Sequence, residues 1–191
     1  MIHAGDLSMG GTYQEIMKEM DWLAARPHDK VIFTPGNHDI QFEKEGPQFG
    51  TLSDLAQMAG LVCLIHRPFF YDGLMFFGSP WTPRFGHGWA YNADADKRSV
   101  LWDDIPSSAD VVITHGPPQN YGDKTYDGQV VGCEYLRDAL VHRIKPKLHI
   151  FGHIHEAYGV YTHPVVGTTF VNASVVNLNY QPVNAPIVID L

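Results

Sequence analysis

Cysteine is scarce: the 191 residues hold two, Cys63 and Cys133, far apart and in no spacing pattern. A disulfide is therefore the weaker reading, and buried thiols in a reducing cytosol the stronger one. No apolar run approaches the roughly 20 residues of a membrane span. The amino terminus, Met-Ile-His-Ala-Gly-Asp, lacks the basic flank and long apolar region of a secretory signal, so a cytoplasmic protein without a membrane partner is expected. Basic residues are outnumbered, with 13 Lys and Arg against 21 Asp and Glu, for a formal charge of −8. Non-specific nucleic-acid binding needs a basic footprint, so a polymeric nucleic-acid substrate is disfavoured. A small anionic substrate stays open, because a bound cation can reverse the sign of charge locally. Internal repeats and low-complexity segments are also missing. At 45% apolar and 18% charged, residues 1–191 read as a single globular domain with room for a full core.

What the sequence does have is one pattern used four times. Ile2-His-Ala-Gly-Asp6, Val31-Ile-Phe-Thr-Pro-Gly-Asn-His-Asp39, Val111-Val-Ile-Thr-His-Gly116 and Leu148-His-Ile-Phe-Gly-His-Ile-His155 are each a short apolar run ending at a turn that carries Asp, Asn or His. Carboxyl ends of parallel strands share one edge in an open α/β sheet, and ligands bind there. The four ends would gather Asp6, Asn37, His38, His115, His153 and His155 into one crevice. Imidazole, carboxylate and amide oxygen together suit a divalent first-row metal.

Around these turns the chain alternates between strands and helices. Met1–Ala4 reads as a strand. Thr12 and Glu15 form a capping-box pattern ahead of Tyr13, Ile16, Met20, Leu23 and Ala24, which recur at helical spacing and predict a helix to Ala25. Val31–Thr34 is a second strand, residues 43–50 a surface loop, and Leu52–Ala59 a helix closed by Gly60. Val62–Ile65 and Leu74–Phe77 are strands separated by a turn at Asp72-Gly73. Residues 79–92 form a long loop holding Trp81, Arg84, Phe85, His87, Trp89 and Tyr91. Asp94–Trp102 reads as a helix, Val111–Thr114 as a strand, 119–131 as a flexible rim, and Leu136–Ile144 as a helix before Pro146. His149 sits inside an apolar run, where packing accounts for it. After His155 come short strands at Tyr158–Thr162, Thr168–Val171 and Ile187–Asp190. The expected fold is α/β, with two stacked sheets flanked by helices.

The chemistry of the gathered residues is specific. His115 and His153 offer neutral imidazole nitrogens to a metal. Asn37 offers an amide oxygen that does not titrate, and the two oxygens of Asp6 can bridge two ions. Paired metals clamp a phosphoryl group and balance its developing charge. A histidine off the metal can protonate the leaving alkoxide, and His38 is the candidate for that general acid. The aromatic loop has two readings: a cover for the core, or a substrate wall in which aromatic faces stack a base and Arg84 meets phosphate.

Gly5-Asp6, Gly36-Asn-His-Asp39, His115-Gly116 and Gly152-His-Ile-His155 resemble the successive motifs of the calcineurin-like metallophosphoesterases. Gly78-Ser-Pro-Trp81, Ile113-Thr-His-Gly-Pro-Pro118, His149–Glu156 and Asn179–Asn184 extend the likeness to the small metallophosphoesterase-domain-containing, cyclic-nucleotide phosphodiesterase-like branch. The resemblance implies a four-layer sandwich of two mixed β-sheets. It implies that Asp6 bridges two metals, that Asn37, His115 and His153 complete one site, that His155 serves the other, and that His38 is the acid. It further implies Mn²⁺, with Fe or Zn²⁺ as alternatives, and hydrolysis of a small cyclic or linear nucleotide phosphoester near Trp81, Arg84 and Phe85. The family pattern opens with Asp-x-His on a strand ahead of the Gly-Asp motif, and no such segment precedes Asp6 in this sequence. The expectations are one strong and one weak metal site, and homodimerisation through the sheet edge left bare. A nucleotide-binding protein without turnover is the alternative function.

Overall fold

A computed structural model describes residues 1–44 and 51–191. Two sheets carry the architecture. The smaller is parallel, with β1 (Ile2–His3), β2 (Ile32–Phe33) and β3 (Val62–Cys63) side by side. The larger is built from β4 (Arg67–Tyr71), β5 (Leu74–Ser79), β8 (Val111–Thr114), β9 (Leu148–Phe151), β10 (Gly159–Thr162) and β11 (Thr169–Asn172). Its six strands lie in the order β10-β11-β9-β8-β5-β4. The centre, β5-β8-β9-β11, is parallel, while β4 and β10 close the edges antiparallel. A two-stranded ribbon of β6 (Thr82–Pro83) with β7 (Asn92–Ala93) braces the aromatic loop.

The layers follow from the period of two along each strand. Ile32, Val111, Ile113, Leu148 and Ile150 point into the space between the sheets, where Leu64, Phe76 and Val171 join them. Phe33 and Val31 point the other way, onto helix α1 (Tyr13–Ala24) and helix α3 (Leu52–Met58). Val112, Phe151 and Phe170 face α4 (Ala95–Leu101) and α5 (Glu134–Asp138), the latter continued as a wider helical turn through Ile144. The result is the expected order of helix, sheet, sheet, helix. Helices α1 and α3 begin as their sequences require. Thr12 and Glu15 bond reciprocally at α1, and Thr51 and Asp54 do the same at α3. Among the described residues, no helix is long and apolar enough to cross a membrane.

Several expected boundaries shift. The hairpin partner of β5 is β4, not Val62–Ile65: residues 62–63 pair with β2 in the other sheet. Sequence pattern hides β4 because it is an edge strand that contains Pro68 and leaves three of its five residues exposed. Glu43 and Lys44 belong to a short helix, α2 (Ile40–Lys44), and the rest of the expected loop, 45–50, lies outside the described residues. Ile187–Asp190 forms no strand; Ile187 and Ile189 simply pack on the inter-sheet core. The rim 119–131 is tied down by buried Asp123, which accepts from the Asn120 and Gly132 amides, and by the Tyr126 amide donating to Glu156.

His149 lies inside β9 with no exposure, and burial pushes its imidazole down to about 3. In the unfolded chain it titrates near 6.5. As pH falls below that value the unfolded state takes up a proton that the folded state refuses, so stability is full above pH 6.5 and falls below it. Between pH 7 and pH 5 this histidine alone should remove about 2 kcal/mol. Calorimetric Tm values should drop over that range, and His149→Phe should flatten the drop; an equal fall in both proteins would contradict the assignment.

Candidate metal centre

The site forms where strands of both sheets end. The chain leaves β1 through Gly5 and Asp6, with φ of 98° and 56°, both left-handed. A side chain at Gly5 would place Cβ 2.5 Å from His115 Nδ1 and 2.8 Å from the Pro35 carbonyl. One at Gly36 would place Cβ 2.3 Å from Asp6 Oδ1. The turns after β1, β2 and β8 therefore approach so closely that only glycine fits between them. Two candidate ligands, Asp6 and His153 (φ 69°), hold left-handed backbone conformations that cost a non-glycine residue about 1–3 kcal/mol each. Surrounding bonds must outweigh that cost.

Asp39 supplies many of those bonds. Fully buried, it accepts from the amides of Gly36 (2.8 Å), Leu7 (3.0 Å) and Ser8 (2.9 Å), and from the Ser8 hydroxyl (3.0 Å). Burial and the nearby Asp6 charge push its carboxyl up to about 6, against the pull of the three amides. It is thus ionised at neutral pH, and it staples the loop after β1 to the loop after β2. The His38 amide completes the junction by donating to Asp6 Oδ1 at 2.9 Å.

His115, 1% exposed, is the pivot. Its Nδ1 lies 2.9 Å from the Ala4 carbonyl, which can only accept, so Nδ1 carries hydrogen. In the neutral ring Nε2 then presents a lone pair, 2.8 Å from Asn37 Oδ1 and 3.3 Å from Asp6 Oδ2. Three electron-rich atoms face each other there, an arrangement relieved by turning the Asn37 amide so that its NH2 donates or by placing a positive charge among them. A proton is one such charge. Burial opposes it, but the charge and hydrogen bond of Asp6, the Ala4 carbonyl and Asp39 outweigh burial and raise the His115 pKa. Asp6 responds in kind: burial would raise its carboxyl, yet His115 and the His38 amide hold it well below the usual carboxylate range. A divalent cation is another. His153 fits it, since burial and the neighbouring His115 push its imidazole down to about 3 and keep it neutral. Ligand atoms of Asp6, His115 and His153 all lie within 4.8 Å of one another. Together with Asn37 they make a carboxylate, amide and bis-imidazole set that fits a divalent first-row ion. The Ala4 carbonyl plays the outer part of the design by fixing the His115 tautomer.

The other sequence candidates fall into two groups. His38 stands beside the centre, half-buried, with Nδ1 2.7 Å from the Met9 carbonyl and its ring 4.5 Å from Trp89. Phe85 lies 4.9 Å from the His153 ring and stacks on Trp89 at 6.1 Å. Trp89 thus belongs with Phe85 at the site; its place in the aromatic loop is the only sequence signal for it. His155 does not join the Asp6, His115 and His153 group. It sits in a single helical turn, edge-on to Tyr180 at 5.3 Å, beside a cavity of about 400 Å³. Arg84 lines one cavity with Phe85 and His153, whereas Trp81 lies behind it. Trp81 packs on the core under the Lys97 ammonium, and Arg84 forms a two-pronged ion pair with Asp94.

Residues 1–157 match the family model for the calcineurin-like phosphoesterase family. The chain belongs to that family. Metallophosphoesterase domain-containing protein 1 of Homo sapiens is 37% identical over 211 residues, which cover 100% of this chain and 64% of that protein. UPF0046 protein C25E10.12 of Caenorhabditis elegans is 30% identical over 210 residues, covering 100% of this chain and 72% of the relative. The chain therefore spans 64% of the human relative's length. The crystal structure of TT1561 of Thermus thermophilus shares the fold with a TM-score of 0.52 at 13% identity, over 84% of this chain and 69% of that one. Another crystal structure aligns with a TM-score of 0.58 at 16% identity, over 84% and 65%.

Calcineurin-like phosphoesterases use divalent metal ions to hydrolyse phosphoesters, and Asp6, Asn37, His115 and His153 are the donors in this member that suit such an ion. Their closeness depends on Gly36. Gly36→Ala should weaken Mn²⁺ affinity about 100-fold in isothermal titration while the far-ultraviolet circular dichroism stays unchanged. Wild-type affinity in that variant would contradict the geometry.

Proposed function

We propose that this calcineurin-like phosphoesterase hydrolyses a small phosphodiester of the nucleotide class, with Mn²⁺ held by Asp6, Asn37, His115 and His153. The observation that carries the reading is the His115 Nε2 lone pair, fixed by Ala4 and turned toward two oxygens that cannot donate to it. A divalent ion bound there offsets phosphoryl charge and makes water a competent nucleophile at neutral pH. Fe and Zn²⁺ suit the same donors. Asp6 and His155 would hold a second, weaker ion.

His38 acts as the general acid. The Met9 carbonyl accepts from Nδ1–H, which fixes the ring and leaves Nε2 as the nitrogen that passes a proton to a leaving alkoxide. The Trp89 ring against the imidazole restricts its swing. Phe85 and Trp89 offer an adjoining aromatic surface for a flat leaving group. Arg84 lines the same cavity as Phe85 and His153, and its exposed pairing with Asp94 leaves it able to meet a phosphate there. Trp81 supports this wall from the core.

A second reading is favoured by one observation: the close group of Asp6, His115 and His153 does not include His155, although the His155 imidazole is near enough to act on His153. With one ion only, the pocket would bind nucleotide and turn it over slowly or not at all. Hydrolysis of a nucleoside 2′,3′-cyclic phosphate, whose leaving group is an alkoxide, separates the two. Turnover should require Mn²⁺, vanish with chelator, and fall by about 10²–10⁴ in kcat in His38→Ala with unchanged Mn²⁺ affinity. Nucleotide binding without any turnover would support the second reading, and turnover indifferent to both chelator and His38 would contradict both.

A further inference from the structure

A polar chain with a single possible direction runs behind His115. The Gly116 carbonyl accepts from the Thr114 hydroxyl at 2.6 Å. With its hydrogen placed there, Thr114 Oγ1 can only accept from His149, whose Nε2 lies 2.8 Å away. His149 therefore carries its hydrogen on Nε2, and its Nδ1 is buried with no partner. Packing does not explain an imidazole at this position. Val112, Phe151 and Phe170 on the same face are apolar, with Phe151 5.0 Å and Phe170 5.8 Å from the His149 ring. An apolar side chain would fill the space without a bare nitrogen, which costs about 1–3 kcal/mol. The compensating contact is the bond to Thr114.

Gly116 directly follows His115, so a bond to its carbonyl acts on the turn that aims the His115 ring. Two further bonds hold that turn: the His115 amide donates to the Ser79 carbonyl at 3.1 Å, and the Gly152 amide donates to the His115 carbonyl at 3.0 Å. We propose that His149 is a positioning residue for the metal centre, acting through Thr114 Oγ1 and the Gly116 carbonyl to hold His115 Nε2 toward Asp6 and Asn37. It touches none of the four donors. The inference rests on the metal-centre reading above but is measurable without metal.

The Gly152 amide reports on the turn, because its acceptor is the His115 carbonyl. In metal-free protein, His149→Phe and Thr114→Val should each speed Gly152 amide exchange about tenfold, and the double variant should be no faster than either. His149→Gln and Thr114→Ser, which keep a donor and a hydroxyl, should restore the wild-type rate. Amides of β11 should keep theirs. In the same proteins the Mn²⁺ Kd should rise about tenfold in the two disruptive variants and recover in the two conservative ones. Wild-type Gly152 exchange in both disruptive variants, or a change in Tm alone, would overturn the positioning role. If wild-type protein bound no Mn²⁺, the metal-centre reading would fall, while the exchange rates would still decide the role of His149.

Discussion

The contact between the Asp6 carboxylate and the His115 imidazole, with Asn37 as third partner, is what the rest of the structure serves. It joins residues from three turns and two sheets, and it places a carboxylate, an amide oxygen and a nitrogen lone pair at 2.8–3.3 Å. Water cannot screen a group as buried as His115, so the charge balance is settled locally. The pocket can take up positive charge as a proton or as a cation. Both outcomes draw on the same geometry, and the neutral His153 beside it tips the chemistry toward the cation.

The fold maintains that contact by glycine and by hydrogen bonds, not by apolar packing alone. Gly5 and Gly36 let backbones approach to distances that a Cβ forbids. Asp39 gathers four donors from the two loops, and Asp6 and His153 keep left-handed conformations because those loops are over-determined. Behind the other wall, the His149, Thr114 and Gly116 chain reaches the same turn from the helix side of the large sheet. Charge-assisted bonds to a buried carboxylate are roughly twice as strong as neutral ones, which suits a site that must resist relaxation when empty of positive charge.

Much of this is legible in the sequence, for definite reasons. Four apolar runs ending in Asp, Asn or His mark the strand ends, and the motifs of a known family name the ligands. Val31–Phe33, Val111–Ile113 and Ile150–Phe151 are apolar throughout, which marks strands buried on both faces without showing which face meets which layer. Other features are out of reach. β4 is hidden because an edge strand with Pro68 has little apolar alternation to show. Ile187–Asp190 resembles a strand because alternating apolar residues also suit an extended segment laid against a core. The ion pair of Arg84 with Asp94, ten residues on, is brought together by the β6 and β7 ribbon. His149 passes for a packing residue in sequence, since the bond to Thr114 spans 35 residues. Pairings of that kind are set by topology, which local pattern does not contain.

The most direct measurement is diffraction from crystals soaked in Mn²⁺, collected at the manganese absorption edge. An anomalous peak bonded to Asp6, Asn37 Oδ1, His115 Nε2 and His153 is the predicted result. No peak there, or a peak that leaves His115 Nε2 hydrogen-bonded to Asn37, would contradict a metal centre built on these four residues.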